Sequence, residues 1–348
     1  MSAPDNVGPH FPASADSSYT GHSEPDVNGL PLYKELCISA QQAYEQFETR
    51  GDLKVLEFAT RSIRLAMEVT EDDNPDKVAI INNLGLCLST RFNCVGEAQD
   101  LEESISLGKL ANALTPDDSP DKHSRLSNLA NSLFSQFRRE GRVKDLEETI
   151  ELQTRTVELV PDGHVDKPML LNNLGNSLHK RFEHSGNTND LDKAIELQTR
   201  AVELTPEDDP KKPMWLVNLG NSQGQRFWQL GNLEDLERAI ALQSRSVDLT
   251  PDDHPNKPGY LNNAGNSLYV RFIRLRDLAD LERAIMLQAR AVELTSDGHP
   301  DKPMRLNNLA SSLQDRYQQT RDVKDLEDAI THQFRAVELT PAGHTDKP

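Results

Sequence analysis

Leu171-Asn172-Asn173-Leu174-Gly175-Asn176-Ser177-Leu178, with Phe182 one turn further on, and Ala194-Ile195-Glu196-Leu197-Gln198-Thr199-Arg200-Ala201-Val202-Glu203-Leu204-Thr205-Pro206 decide how this chain folds. In the first run Leu171, Leu174, Leu178 and Phe182 recur at i, i+3, i+7 and i+11, the spacing of one apolar helix face. Gly186 breaks that pattern and tolerates the left-handed conformation that ends a helix. Asn187 is placed to cap the next helix, with Asp190 in its first turn where a carboxylate favours the positive helix end. Leu191, Ala194, Ile195, Ala201, Val202 and Leu204 form the apolar side of that second helix, and Thr205 to Pro210 end it. Asp166 is expected to cap the first helix, with Pro168 inside its first turn. The unit reads as an antiparallel helix pair.

The pair recurs. Asn83, Asn128, Asn173, Asn218, Asn263 and Asn308 are spaced by 45 residues, as are Phe47, Phe92, Phe137, Phe182, Phe227, Phe272 and Tyr317. Seven units, 31–75, 76–120, 121–165, 166–210, 211–255, 256–300 and 301–345, therefore tile the chain without insertion or deletion. In the first unit Ile38 replaces the Asn, as suits a terminal repeat with a different neighbour. Residues 1–30, rich in Pro, Ser, Gly and Asp, are expected to be disordered. Residues 346–348 repeat the opening of a first helix and read as the start of a truncated further unit. The last pair would then present an apolar face built from Ile330 and Val337, and self-association through that end is a second expectation.

Composition excludes several classes. Of 348 residues, 38 are Lys or Arg against 56 Asp or Glu, a net charge of −18, so no basic excess exists to neutralise phosphates and nucleic acid is not expected as a partner. No apolar run approaches the roughly 20 residues of a membrane span, and the N-terminus shows neither a secretory signal nor a transit peptide. Three cysteines, Cys37, Cys87 and Cys94, form no disulfide framework and suit a reducing, cytoplasmic setting. At 36% apolar the chain is poor for a globular domain, and fits an elongated array whose units bury only their neighbours.

The two quoted runs resemble the first and second helices of a tetratricopeptide repeat, with Leu171, Leu174, Gly175, Leu178, Ala194, Ala201 and Pro206 on its signature positions. The period is 45 rather than 34, and Gln198 stands where an aromatic is usual. The long helices, the Leu171–Gly175 run and the linker His299–Pro303 are similar to the kinesin-light-chain subclass and to large fungal repeat arrays, many of which end in a caspase-like or nucleotide-binding effector domain. HEAT and armadillo repeats share this period, but Gly175, Gly220 and Gly265 facing Ala194, Ala239 and Ala284 give the fixed close approaches of tetratricopeptide pairs. The resemblance implies an all-α, right-handed α-α superhelix of about seven pairs. It also implies a non-enzymatic scaffold binding an extended or helical peptide in its concave groove. The alternative is the sensor or oligomerisation arm of a larger protein whose effector lies beyond residue 348.

No nucleotide-binding, hydrolase or metalloprotease motif occurs, and no cofactor, catalytic group or metal site is assigned. His164, His254, His299 and His344 recur in the linkers, read as solvated turn residues in separate units. Cys87 and Cys94 read as small buried hydrophobes. Arg91, Arg181, Arg226, Arg271 and Arg316 are expected to pair with a carboxylate such as Asp190. Lys77, Lys122, Lys167, Lys212, Lys257, Lys302 and Lys347 open the first helices against the macrodipole, and a salt bridge to the preceding acidic linker accounts for them. The candidate binding residues are the row Asn83, Asn128, Asn173, Asn218, Asn263 and Asn308. As the resemblance implies, these contact a peptide backbone or hold the helix pair together, by bonding the Gln153, Gln198, Gln243, Gln288 and Gln333 series. Asn131, Asn176, Asn221 and Asn266, at the next position on that face, read as groove residues.

Overall fold

The computed structural model describes residues 30–340. Within them run fourteen helices: α1 Leu32–Arg50, α2 Leu53–Val69, α3 Lys77–Val95, α4 Ala98–Leu114, α5 Lys122–Glu140, α6 Val143–Leu159, α7 Lys167–Ser185, α8 Thr188–Leu204, α9 Lys212–Leu230, α10 Leu233–Leu249, α11 Lys257–Leu275, α12 Leu278–Glu293, α13 Lys302–Thr320 and α14 Val323–Leu339. No strand occurs among the described residues. The expected N-terminal disorder and the opening of a further unit at residues 346–348 both lie outside the described residues. The chain divides between Arg181 and Phe182 into two compact units, each a run of helix pairs.

Every pair is built by the same local chemistry. Its first helix ends on a residue at positive φ: Gly51, Gly96, Gly141, Gly186 and Gly231, then Arg276 and Arg321, both at φ 62°. The amide of each closes on the carbonyl of the recurrent aromatic, as Gly231 N–H to Phe227 O at 2.7 Å. Where arginine replaces glycine, its guanidinium lies over that same ring, 5.6 Å from the Phe272 centroid and 5.8 Å from that of Tyr317. Second helices open on side-chain caps: Asp52, Asn187, Asn232, Asp277 and Asp322 each accept the amide two residues on.

First helices open differently from expectation. Asp76, Asp121 and Asp301, the counterparts of Asp166, accept no capping bond, because their backbone is already in the helical region. The acceptor sits two residues earlier instead. Asn74, Ser119, His164, Asp209, His254 and His299 each take the amide of residue +2 with a side-chain atom, at 2.7–3.4 Å. The linker histidines at 164, 254 and 299 are thus half-exposed members of a capping turn, with imidazole Nδ1 doing what an amide or carboxylate oxygen does elsewhere.

The core lies within pairs and between each second helix and the next first helix. Leu101 and Ile105 of α4 pack on Leu129 and Leu133 of α5 in the first unit. Leu281 and Ile285 of α12 pack on Leu309, Ala310 and Leu313 of α13 in the second. The stripe Leu171, Leu174, Leu178 and Phe182 is buried as its spacing requires. Small residues set the approach within a pair. A Cβ on Gly220 would meet Gln243 Cγ at 2.9 Å and the Ala239 carbonyl at 3.3 Å, and one on Gly265 would meet Gln288 Cγ at 2.8 Å. On α14, Ile330, Phe334 and Val337 are exposed, Phe334 to 69%, since no further described pair covers them.

Candidate functional site

The six Asn of the 45-residue row lie on first helices: Asn83 on α3, Asn128 on α5, Asn173 on α7, Asn218 on α9, Asn263 on α11 and Asn308 on α13. Asn218 is buried and the other five are half-buried. Their amides serve the preceding repeat rather than the glutamines. Asn128 Nδ2 donates to Asn82 Oδ1 at 3.2 Å, and Asn82 Nδ2 donates to Asn83 Oδ1 at 3.3 Å. In the other unit Asn308 Nδ2 donates to Asn262 Oδ1 at 3.0 Å. Asn82 and Asn262 are buried, so each link ties a half-exposed amide to a covered one across two first helices.

The glutamines take the next position. Gln243 Nε2 donates to Asn221 Oδ1 at 3.0 Å and Gln288 Nε2 to Asn266 Oδ1 at 2.9 Å. The expected pairing with the 45-residue Asn row is therefore displaced by three residues, one helical turn toward the C-terminus. The cause is the glycine at 220 or 265, whose bare Cα receives the Gln stem and lets its amide slide past. Gln153, Gln198, Gln243 and Gln288 are buried, whereas Gln333 is exposed on α14, the last described helix. Asn131, Asn176 and Asn266 are half-buried and Asn221 is exposed.

Around this face the ionic groups hold the scaffold. Arg91, Arg226, Arg271 and Arg316 make two-pronged bonds to Asp100, Asp235, Asp280 and Asp325 at 2.5–3.0 Å, joining the end of each first helix to the start of its partner. These aspartates are buried at helix N-termini, where the dipole also favours the charge. In the third pair Gln136 replaces the arginine and Arg142 serves Asp145 at 2.9 Å instead.

The six described boundary lysines make the expected salt bridges to the preceding acidic linker, and they also reach backbone carbonyls. Lys77, Lys122, Lys167, Lys257 and Lys302 bury their stems and each donates Nζ to two carbonyls at the end of the preceding second helix, as Lys257 to Val247 O at 2.7 Å and Thr250 O at 2.5 Å. Lys212 reaches Thr205 O at 2.6 Å. The linker carboxylates Asp72, Asp117, Asp162, Glu207, Asp252 and Asp297 are exposed and lie 2.8–3.7 Å from these ammonium groups. The cation opposes the dipole of its own helix but satisfies the orphan carbonyls of the one before. Lys347 lies outside the described residues.

Among the thiols, burial pushes Cys87 up to about 12 and Cys37 up to about 11, so neither is a nucleophile near neutrality. Cys94 corrects the sequence reading: it is exposed, at the penultimate residue of α3. The fold also brings together groups that the sequence leaves apart. His123, His164 and Asp166 each offer a ligand atom within 4.8 Å of the others. Among the described residues no helix is long and apolar enough to cross a membrane.

Seven helix pairs on one 45-residue period, with the same Arg–Asp cross-tie at Arg91, Arg226, Arg271 and Arg316, define a tandem helical-repeat protein. Residues 124–166 and 169–210 match the tetratricopeptide-repeat family, and the remaining units carry the same 45-residue pattern in register. No curated protein sequence matches it. Among solved structures, a chain of the APC/C hetero-tetramer Cut9–Hcn1 is similar at 16% identity and TM-score 0.53, over 89% of this chain and 50% of that one. A Podosopora anserina protein described as a kinesin light chain with nearly identical TPR-like repeats is similar at 15% identity and TM-score 0.45, over 62% and 97%. YrrB, described as a TPR protein with an unusual peptide-binding site, is similar at 18% and 0.43, over 67% and 97%.

Proposed function

We propose that the array binds an extended peptide segment along its first helices, without catalysing a reaction, through the rows Asn83–Asn128–Asn173 in one unit and Asn218–Asn263–Asn308 in the other. The supporting observation is the regular row of half-buried amides. Asn128 and Asn308 each spend one N–H on the preceding repeat. An amide has two donors and an acceptor of two lone pairs, so each retains capacity that a peptide backbone satisfies. Asn131 and Asn176, one turn further along, extend the same rows, with Asn221 and Asn266 already accepting one bond from glutamine. A net charge of −18 favours a peptide with basic residues at its flanks. Panning a random peptide library against the full chain, then mapping a selected peptide by hydrogen exchange, tests this. Protection concentrated on the first helices supports the reading, and protection confined to second helices refutes it.

A second reading concerns α14. Its exposed Ile330, Phe334 and Val337 form an apolar face that a second copy of the chain covers. Concentration-dependent sedimentation that Phe334→Asp abolishes is the expected result, and a monomer at all concentrations refutes it.

A further inference from the structure

His123 stands in the first turn of α5, and His164 and Asp166 stand in the linker from α6 to α7. Three groups with metal-ligating chemistry thus come from the starts of two successive first helices. His164 Nδ1 and Asp166 Oδ2 are 3.7 Å apart, and the His123 and His164 rings meet edge to face with centroids 5.2 Å apart. Two ligands on a tetrahedral ion at about 2.0–2.2 Å sit roughly 3.3–3.6 Å from each other. The cluster, with ligand atoms within 4.8 Å, reaches that geometry by a small contraction of half-exposed side chains.

His123 already has the protonation pattern an ion requires. His123 Nδ1 lies 2.8 Å from the Pro120 carbonyl, which only accepts, so Nδ1 carries the proton and Nε2 keeps its lone pair. A backbone carbonyl on the far nitrogen is the usual outer partner of a metal-bound imidazole. His164 Nδ1 accepts the Asp166 amide at 3.2 Å, so its lone pair faces Asp166, and an ion that takes it displaces this one amide bond. The combination occurs at one linker alone among those described. His299 and Asp301 repeat two of the three groups, Nδ1 to Oδ2 4.0 Å, but the residue corresponding to His123 there is Pro258. His254 has Asn256 after it and Pro213 before it.

We propose that His123, His164 and Asp166 bind one divalent ion of the zinc class. Two imidazoles and a carboxylate suit a borderline ion, with water as the fourth ligand. The ion ties the start of α5 to the start of α7 and stiffens the junction between the third and fourth pairs.

The test is titration of the full, reduced chain with Co²⁺ as a spectroscopic probe, followed by displacement with Zn²⁺. One equivalent with the visible bands of a low-coordinate ion and no thiolate charge-transfer band is expected. His123→Ala and His164→Asn should each weaken binding by at least about tenfold, since losing even an outer partner of a ligand commonly costs that much. His164→Asn is informative because Asn74 fills the same capping role, so the turn survives without the imidazole. His299→Asn should leave the titration unchanged. Saturating Zn²⁺ should slow amide exchange over residues 160–170. Equal affinity in wild type, His123→Ala and His164→Asn overturns the proposal, and so does a thiolate band, which would place the ion on a cysteine.

Discussion

Lys257→Met removes one ammonium and keeps an unbranched stem of similar bulk. Lys257 Nζ donates to Val247 O and Thr250 O, the last carbonyls of α10. Val247 O keeps a second donor, the Thr250 amide at 3.2 Å, whereas Lys257 is the donor to Thr250 O. A hydrogen bond to a charged group contributes about 1.5–3 kcal/mol, and the bond that is partly replaced contributes less, so the expected loss is about 2–4 kcal/mol. A repeat array opens locally, so a single global unfolding free energy is the wrong observable. Native-state hydrogen exchange of α10 and α11 reads the effect directly, as exchange roughly 30- to 1,000-fold faster at ~1.4 kcal/mol per tenfold. Asp252→Ala is the control. Its carboxylate is exposed and screened by solvent, so removing it should change exchange far less than Lys257→Met does. Exchange in Lys257→Met within twofold of wild type, or a loss in Asp252→Ala as large as in Lys257→Met, would refute the carbonyl-capping role.

Two further outcomes follow from the same accounting. The first pair has Gln46 and Val55 where other pairs place the Arg and Asp of the cross-tie, and α1 has no side-chain cap. Residues 31–75 should therefore exchange faster than residues 211–255, and equal protection of the two would contradict this. At Arg276, held at φ 62° over Phe272, Ala keeps the left-handed cost and loses the cation–π contact, whereas Gly removes both. Arg276→Ala should destabilise by about 0.5–1 kcal/mol and Arg276→Gly by nearly nothing, read by thermal melting. Gly proving worse than Ala would remove the argument.

The features legible in the sequence were those set by a residue's own backbone or its nearest turn. Gly186 ending α7, Asn187 capping α8 and the Leu171–Phe182 stripe needed only local periodicity and conformational preference. The Arg–Asp cross-tie was legible because both partners sit at opposite ends of one short turn, nine residues apart. What escaped were contacts decided by how one pair seats on the next. Lys257 looks like a solvated helix start until α10 is seen to end beneath it. Gln243 misses Asn218 by one turn because the glycine at 220 sets the depth of its stem. His123 and His164 are 41 residues apart, four short of the period, and that offset is the signal that the linker of one pair lies over the start of its first helix.

The account rests on the Asn rows being a peptide-binding face. The direct measurement compares wild type with Asn218→Ala/Asn263→Ala/Asn308→Ala for affinity toward a library-selected peptide and for thermal stability. Three backbone bonds at about 0.5–1.5 kcal/mol each amount to about 2–4 kcal/mol of binding, a loss of roughly 30- to 1,000-fold. Stability should fall by less than binding does, through the Asn308–Asn262 bond and the buried Asn218. A large drop in melting temperature with affinity per folded molecule unchanged would show the row to be structural and contradict the account.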